Sequence, residues 1–371
     1  MVEECLDSIR ECLEIGWTGS GYKTTQFEEA WSTYNEIDET IFVASNTAGI
    51  DLTIRGMKIH YCWEDDDEII STALTFVSAN HSILLNGLSP IFADVDETLC
   101  LDPNSVENLI NSKTKAVIYT GIGGNSANLE KIREICNQKS IALIIDAAHM
   151  AGTSLRGKSI ASIGDATIYS FQSVKNLPTA DSGAIYIRDS ELRDSVRKLS
   201  WLGISSDTFT RTKSGAYKWE YEVEDIGLKA NGNSIMAAIA IEQLRVLDRD
   251  NEMRRAIVLQ YKEGIKESKD LSWVEVPDPE SSSCHLAQII VKMGLREKLI
   301  DYLDSIGIDT GVHYRLNSRY PMYAHLYGST PRAEDLESQI LSLPLHLRLT
   351  KDDISRVVSG INDFFEEVEN G

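Results

Sequence analysis

The sequence predicts an α/β fold, in which helices pack around a mainly parallel sheet and a smaller α/β domain comes after it. Three observations predict it. Short β-rich runs alternate with amphipathic helical patterns from Ile41 to about Ile187, a long helical pattern comes next, and a shorter set of strand and helix patterns closes the chain. At 371 residues there is material for two domains, placed at 1–245 and 246–371.

In order, the runs IFVAS, DEIIST, SPIFADV, KAVIYT, IALIID, ATIYSF and GAIYIR read as strands. Amphipathic stretches at Asn104–Ser112 and Leu129–Lys139 lie between several of them. From Ser234 to about Ser268, apolar residues at Ile235, Ala238, Ile239, Ile241 and Leu244 predict one long connecting helix. HLAQIIVKM then reads as a strand and EKLIDYLDSIG as a helix ended by Gly307. KDDISRVVSGINDFF reads as a last helix with acidic residues in its first turn.

Composition narrows the function. With 57 acidic against 36 basic residues the formal net charge is −21, and no Lys/Arg-rich block interrupts it, which argues against nucleic acid or an anionic membrane as partner. No run approaches 18 apolar residues, and MVEECLDSIREC lacks the basic and apolar regions of a signal peptide, so a soluble, cytoplasmic protein is expected. The six cysteines show no CxxC and no pairing with histidines. Neither a zinc ribbon nor a disulfide scaffold is expected, and no metal site.

One motif is a decoy. Gly152 to Ser159, GTSLRGKS, fits the pattern of a phosphate-binding loop. That mechanism requires a helix starting at the Lys-Ser pair, whose amides would hold the phosphate. The next segment, SIASIGDATIYSF, reads as a turn and a strand, so a surface loop is expected.

The chemistry lies at strand ends. IALIID ends in Asp146, where α/β sheets bind ligands. ATIYSF ends near Ser170, with Lys175 just beyond, and Asn46 and Thr47 come after the first strand and open a helical segment, a natural anion seat. Taken singly, Asp146 reads as a cap and Lys175 as a solvated loop residue. Together they offer an anion site, a carboxylate and an amine. Pyridoxal phosphate, a phosphorylated aldehyde with a basic ring nitrogen, would use all three.

On these residues the chain resembles the DegT/DnrJ/StrS-type nucleotide-sugar aminotransferases. The resemblance runs in order through GWTGSGYKTTQFEEAW, ASNTAGID, LTFVSANHSILLNGLSPIFADVD, KTKAVIY, IIDAAHMAGTSLRGKSIASIGDATIYSFQSVKNL, GLKANGNSIMAAIAIEQL, GIDTGVHY and LSLPLH. It implies pyridoxal-phosphate fold type I, with a mixed, mainly parallel seven-stranded sheet in the large domain and a smaller C-terminal α/β domain. It further implies that Lys175 forms the imine with the cofactor and moves the proton, that Asp146 keeps the ring nitrogen protonated, and that Phe76 stacks on the ring. Asn46, Thr47 and Ser170 would hold the phosphate, and His149 would lie near the phenolic oxygen. Trp17 and His313 would line the substrate mouth.

The same resemblance implies a homodimer in which Lys229 and Asn231 reach the neighbouring subunit's site. It implies an amino group moved from glutamate to a nucleotide-linked ketosugar for amino-sugar and polysaccharide synthesis, the cofactor alternating with pyridoxamine phosphate. Among relatives the Lys229/Asn231 version of that segment accompanies amination at carbon 4. A dianionic substrate on so acidic a chain calls for a local positive patch, for which Lys229, Arg211 and Arg315 are candidates. The sequence departs from the family pattern at Asp181-Ser182-Gly183, at Leu228 and Ala230, at Leu202-Gly203-Ile204 and at Asn317-Ser318-Arg319, all on the substrate side. Two other readings stand beside this one. A sugar-dehydrating relative would carry histidine in place of Lys175, and a non-catalytic regulatory relative would keep the fold without transferring an amine.

Overall fold

A computed structural model describes residues 2–204 and 222–370. Helices α1 (Val2–Ile15) and α2 (Tyr22–Asn35) precede β1 (Thr40–Val43) and α3 (Asn46–His60). Then come β2 (Glu68–Thr72), α4 (Ser78–Leu85), β3 (Ser89–Ala93), α5 (Pro103–Leu109), β4 (Thr114–Thr120), α6 (Leu129–Lys139) and β5 (Ala142–Asp146). A hairpin of β6 (Ser154–Leu155) and β7 (Lys158–Ser159) leads to β8 (Ala166–Ser170), β9 (Gly183–Ile187) and α7 (Ser190–Leu199).

The seven runs expected as strands form one sheet in the order β1-β9-β8-β5-β4-β2-β3. β9 pairs antiparallel with β1 and β8, and every other neighbouring pair is parallel. The apolar runs reflect burial on both faces. Successive side chains alternate, so Ala116, Ile118 and Ile144 enter one core while Val117, Tyr119, Leu143 and Ile145 enter the other.

The phosphate-loop decoy resolves as a hairpin. Leu155 pairs with Lys158, Arg156 and Gly157 turn between them, and a single 3-10 turn at Ile160–Ser162 precedes β8. No helix N-terminus begins at Lys158.

The long connecting helix is a correction. It is two helices, α8 (Ser234–Leu244) and α9 (Leu247–Gly264), broken at Arg245 and Val246. Val246 leaves the helical region (φ −119°, ψ 1°), its amide donates to Gln243 O in a tightened turn, and Leu247 is redirected into the main core. Beyond lie β10 (Leu271–Trp273), β11 (Ala287–Val291), α10 (Arg296–Ser305), α11 (Pro331–Glu337), β12 (Ile340–Leu343) and α12 (Lys351–Asn370). The three strands form an antiparallel sheet in the order β10-β11-β12. Ile289, Val291, Leu341 and Leu343 from this sheet share a core with Tyr261 of α9, Leu299 and Leu303 of α10, and Val357 and Ile361 of α12. Among the described residues no helix is long and apolar enough to cross a membrane.

Candidate active site

The sheet's polarity builds the site. β1, β2, β4, β5 and β8 run in one direction, so their carboxyl ends open on one edge, where α/β sheets bind ligands. Residues at or just past those ends line one cavity of about 430 Å³. Ser45, Asn46 and Thr47 come after β1, Thr75 and Phe76 after β2, and Thr120 ends β4. Asp146 and His149 come from β5, and Ser170 and Lys175 from β8. β9 runs the other way, which brings Asp181, just before it, to the same edge.

One end of the cavity is an anion seat. Ser45 caps α3, its hydroxyl accepting from the Ala48 amide at 3.1 Å. The amides of Asn46 and Thr47 stand in the first turn and have no intrahelical acceptor. β9 packs close behind. A Cβ on Gly183 would lie 2.6 Å from Tyr169 O and 2.9 Å from Asn46 N, so only glycine allows that approach.

Asp146 is buried, and its Oδ1 accepts from the Ala148 amide and from Asn46 Nδ2, each at 3.2 Å. Asn46 therefore commits its side-chain amide to Asp146 and to Ile168 O, and offers an anion only its backbone N–H. Burial pushes the Asp146 carboxyl up, opposed by those two donors and by the Lys175 charge. Oδ2 accepts from no described residue. Lys175 has no hydrogen-bond or ion-pair partner for its Nζ among the described residues, and burial pulls its ammonium down to about 8 against the attraction of Asp146. Phe76 is 58% exposed, so it is no core residue; it stands at the cavity with its ring 6.0 Å from that of Tyr314.

His149 uses both ring nitrogens inside the protein: Nδ1 accepts from the Gly123 amide at 3.1 Å, and Nε2 lies 3.1 Å from Tyr314 Oη. Burial, then the His285, Lys175 and His313 charges, hold it well below the usual imidazole range. The sequence did not single out Tyr314, although it directly follows His313. Nor did it single out His285, whose ring packs 4.3 Å from His149 and whose Nδ1 meets Asn176, the neighbour of Lys175, at 2.7 Å.

Other expected residues stand outside this cavity. Trp17 donates from Nε1 to Ser20 O at 2.7 Å, and His313 Nδ1 meets Ser342 Oγ at 2.9 Å. Lys229 lies 3.5 Å over the Trp201 ring and donates to Asn231 Oδ1 at 3.0 Å, on a segment that bridges to β1 through Val43. Arg315 lies 5.5 Å from the Tyr320 ring centre, and Arg211 falls outside the described residues.

The donor set fits pyridoxal phosphate. A buried carboxylate with one oxygen unmet suits a protonated ring nitrogen, an amine whose pKa burial lowers to about 8 suits an aldehyde, an exposed aromatic suits a ring face, and a helix N-terminus suits a phosphate.

Comparison with known proteins agrees with this chemistry. A model of the DegT/DnrJ/EryC1/StrS aminotransferase family matches residues 1–362. The spore coat polysaccharide biosynthesis protein SpsC of Bacillus subtilis is 33% identical over 97% of this chain and 94% of its own length. The aminotransferase TlmJ of Streptoalloteichus hindustanus superposes with a TM-score of 0.90 at 28% identity, covering 98% of this chain and 96% of that one. Spr1654 of Streptococcus pneumoniae, solved in a PMP-form, gives a TM-score of 0.91 at 26% identity over 99% of this chain and 98% of that one.

Proposed function

The chain belongs to the DegT/DnrJ/EryC1/StrS aminotransferase family, and from that premise we propose that it moves an amino group from L-glutamate to a nucleotide-linked ketosugar, at carbon 4, in amino-sugar and polysaccharide synthesis. The observation that carries the reading is the meeting of Lys175, Asp146, Phe76 and the start of α3 in one cavity. Bound there, pyridoxal phosphate would supply an aldehyde that condenses with amines and a protonated ring that draws electrons from the adjoining carbon.

The chain's own residues do the rest. Asp146 would hold the proton on the ring nitrogen, its burial making a positive partner worth more than in water. Lys175 Nζ, its pKa lowered to about 8 by burial, would take a proton from one reacting carbon and return it to the other. Phe76 would cover one face of the ring, and Ser170, Thr47 and the Asn46 amide would hold the phosphate. The two half-reactions share the site in turn, so ping-pong kinetics are expected.

The proposed assembly is a homodimer in which Lys229 and Asn231 complete the neighbour's site. Leu202, Val223, Ile226 and Leu228, exposed side by side along that segment, support an interface there. The test is a panel of nucleotide ketosugars incubated with glutamate. Formation of an aminated sugar with matching 2-oxoglutarate is expected for at least one 4-keto member. Turnover of none, by protein that holds the cofactor, would contradict the substrate class.

A further inference from the structure

The hydrogen bonds around His149 fix where its proton is, and that decides what Tyr314 can do. A backbone amide can only donate, so the Gly123 N–H at 3.1 Å leaves Nδ1 as an acceptor carrying no proton. This amide is held in place. Gly123 sits at φ +64° in the turn after β4, and its carbonyl accepts from the His285 amide at 2.9 Å. Ser283 Oγ donates to His149 O at 2.5 Å and anchors the histidine from the other side. With Nδ1 bare, the imidazole must carry its hydrogen on Nε2. That hydrogen points to Tyr314 Oη at 3.1 Å, so the phenol is the acceptor in this contact. The proton of Tyr314 is therefore uncommitted: Oη has no other partner among the described residues, and the side chain lines the cavity with Lys175 and Asp146.

We propose that Tyr314 is a hydrogen-bond donor to an electron-rich oxygen of the molecule bound in this cavity, and that His149 is the positioning residue that turns its proton inward. The inference rests on the function proposed above. The oxygen belongs either to the cofactor ring or to the sugar, both being acceptors that gain charge when an amine is exchanged beside them. The hydroxyl stays protonated for this task, because burial and the Asp146 charge both push it above the ordinary phenol range. His149, which the family resemblance places near the phenolic oxygen, acts in this proposal through the Tyr314 hydroxyl.

The first arm of the test needs no cofactor. Nitrogen NMR of histidine-labelled protein, with the His149 signal assigned by its loss in His149→Gln, should show Nδ1 unprotonated and Nε2 protonated. The opposite tautomer would overturn the proposal. The second arm compares wild type with Tyr314→Phe, which keeps the ring and loses only the hydroxyl. If the acceptor is on the cofactor, the pH midpoint of the bound cofactor's visible band should shift by about half a unit or more without substrate. If it is on the sugar, that midpoint stays and KM for the ketosugar rises about tenfold, the loss expected for one hydrogen bond. In either case His149→Leu should reproduce the Tyr314→Phe change, and His149→Gln, which keeps an N–H donor, should largely restore it. A coloured Tyr314→Phe protein with unchanged midpoint and unchanged KM overturns the proposal. A wild type that takes up no cofactor overturns the function itself, and this inference with it.

Discussion

At the scale of single residues, the site places an amine without a hydrogen-bond partner among the described residues and a carboxylate under the same burial, and lets them answer each other through a ligand. Without that ligand both are costly. For Lys175 the sign can be worked out. Its folded value lies near 8 against 10.5 when free, so below about pH 8 the ammonium is charged in both states and burial penalises the fold. Between about 8 and 10.5 the unfolded chain holds the extra proton, and stability rises with pH. Lys175→Met should therefore stabilise the cofactor-free protein at pH 7, by on the order of 2 kcal/mol, and by less at pH 10. Denaturant unfolding at the two pH values checks this, and an equal effect at both would contradict the burial argument. Asp146→Asn removes the charge and keeps the shape. Turnover should fall by at least about 100-fold with the fold intact, whereas a mere cap would cost about 1 kcal/mol of stability and leave the rate alone.

At the scale of elements, the seven strands were legible because a strand buried on both faces must be a nearly unbroken apolar run, as IALIID and ATIYSF are. α6 coincides with the expected Leu129–Lys139 because its apolar spacing is regular. The break between α8 and α9 was not legible, since Arg245 and Val246 include neither glycine nor proline and the turn is set by where Leu247 packs. Tyr314 was hidden for a related reason: its role depends on meeting His149, 165 residues away in the chain. The close approach of β9 to the start of α3 yields its own prediction. In Gly183→Ala the new Cβ would meet backbone atoms of Tyr169, Ser45 and Asn46 that cannot swing aside. A loss of about 1–3 kcal/mol and a cofactor affinity lowered about tenfold or more are expected. Gly19→Ala, with nothing within 4 Å of its Cβ, serves as the control and should match wild type in both.

At the scale of the whole molecule, the parallel sheet gathers five strand ends into one cavity, and the proposed dimer brings a second chain's Lys229 and Asn231 to its mouth. Symmetry makes this testable. In a two-fold dimer each site would take Lys175 from one chain and Asn231 from the other. If Lys175→Ala and Asn231→Ala, each nearly inactive, are unfolded together and refolded, half the dimers are mixed, and each mixed dimer regains one intact site. Activity should return to about a quarter of wild type for random mixing. An inactive mixture of chains shown to have exchanged would contradict the shared site. The central claim, that this edge of the sheet holds pyridoxal phosphate on Lys175, is tested most directly by borohydride reduction of the protein loaded with the cofactor, followed by peptide mapping. A yellow protein whose cofactor becomes fixed to the peptide containing Lys175 is the predicted result, and label on Lys158 or any other lysine instead would contradict it.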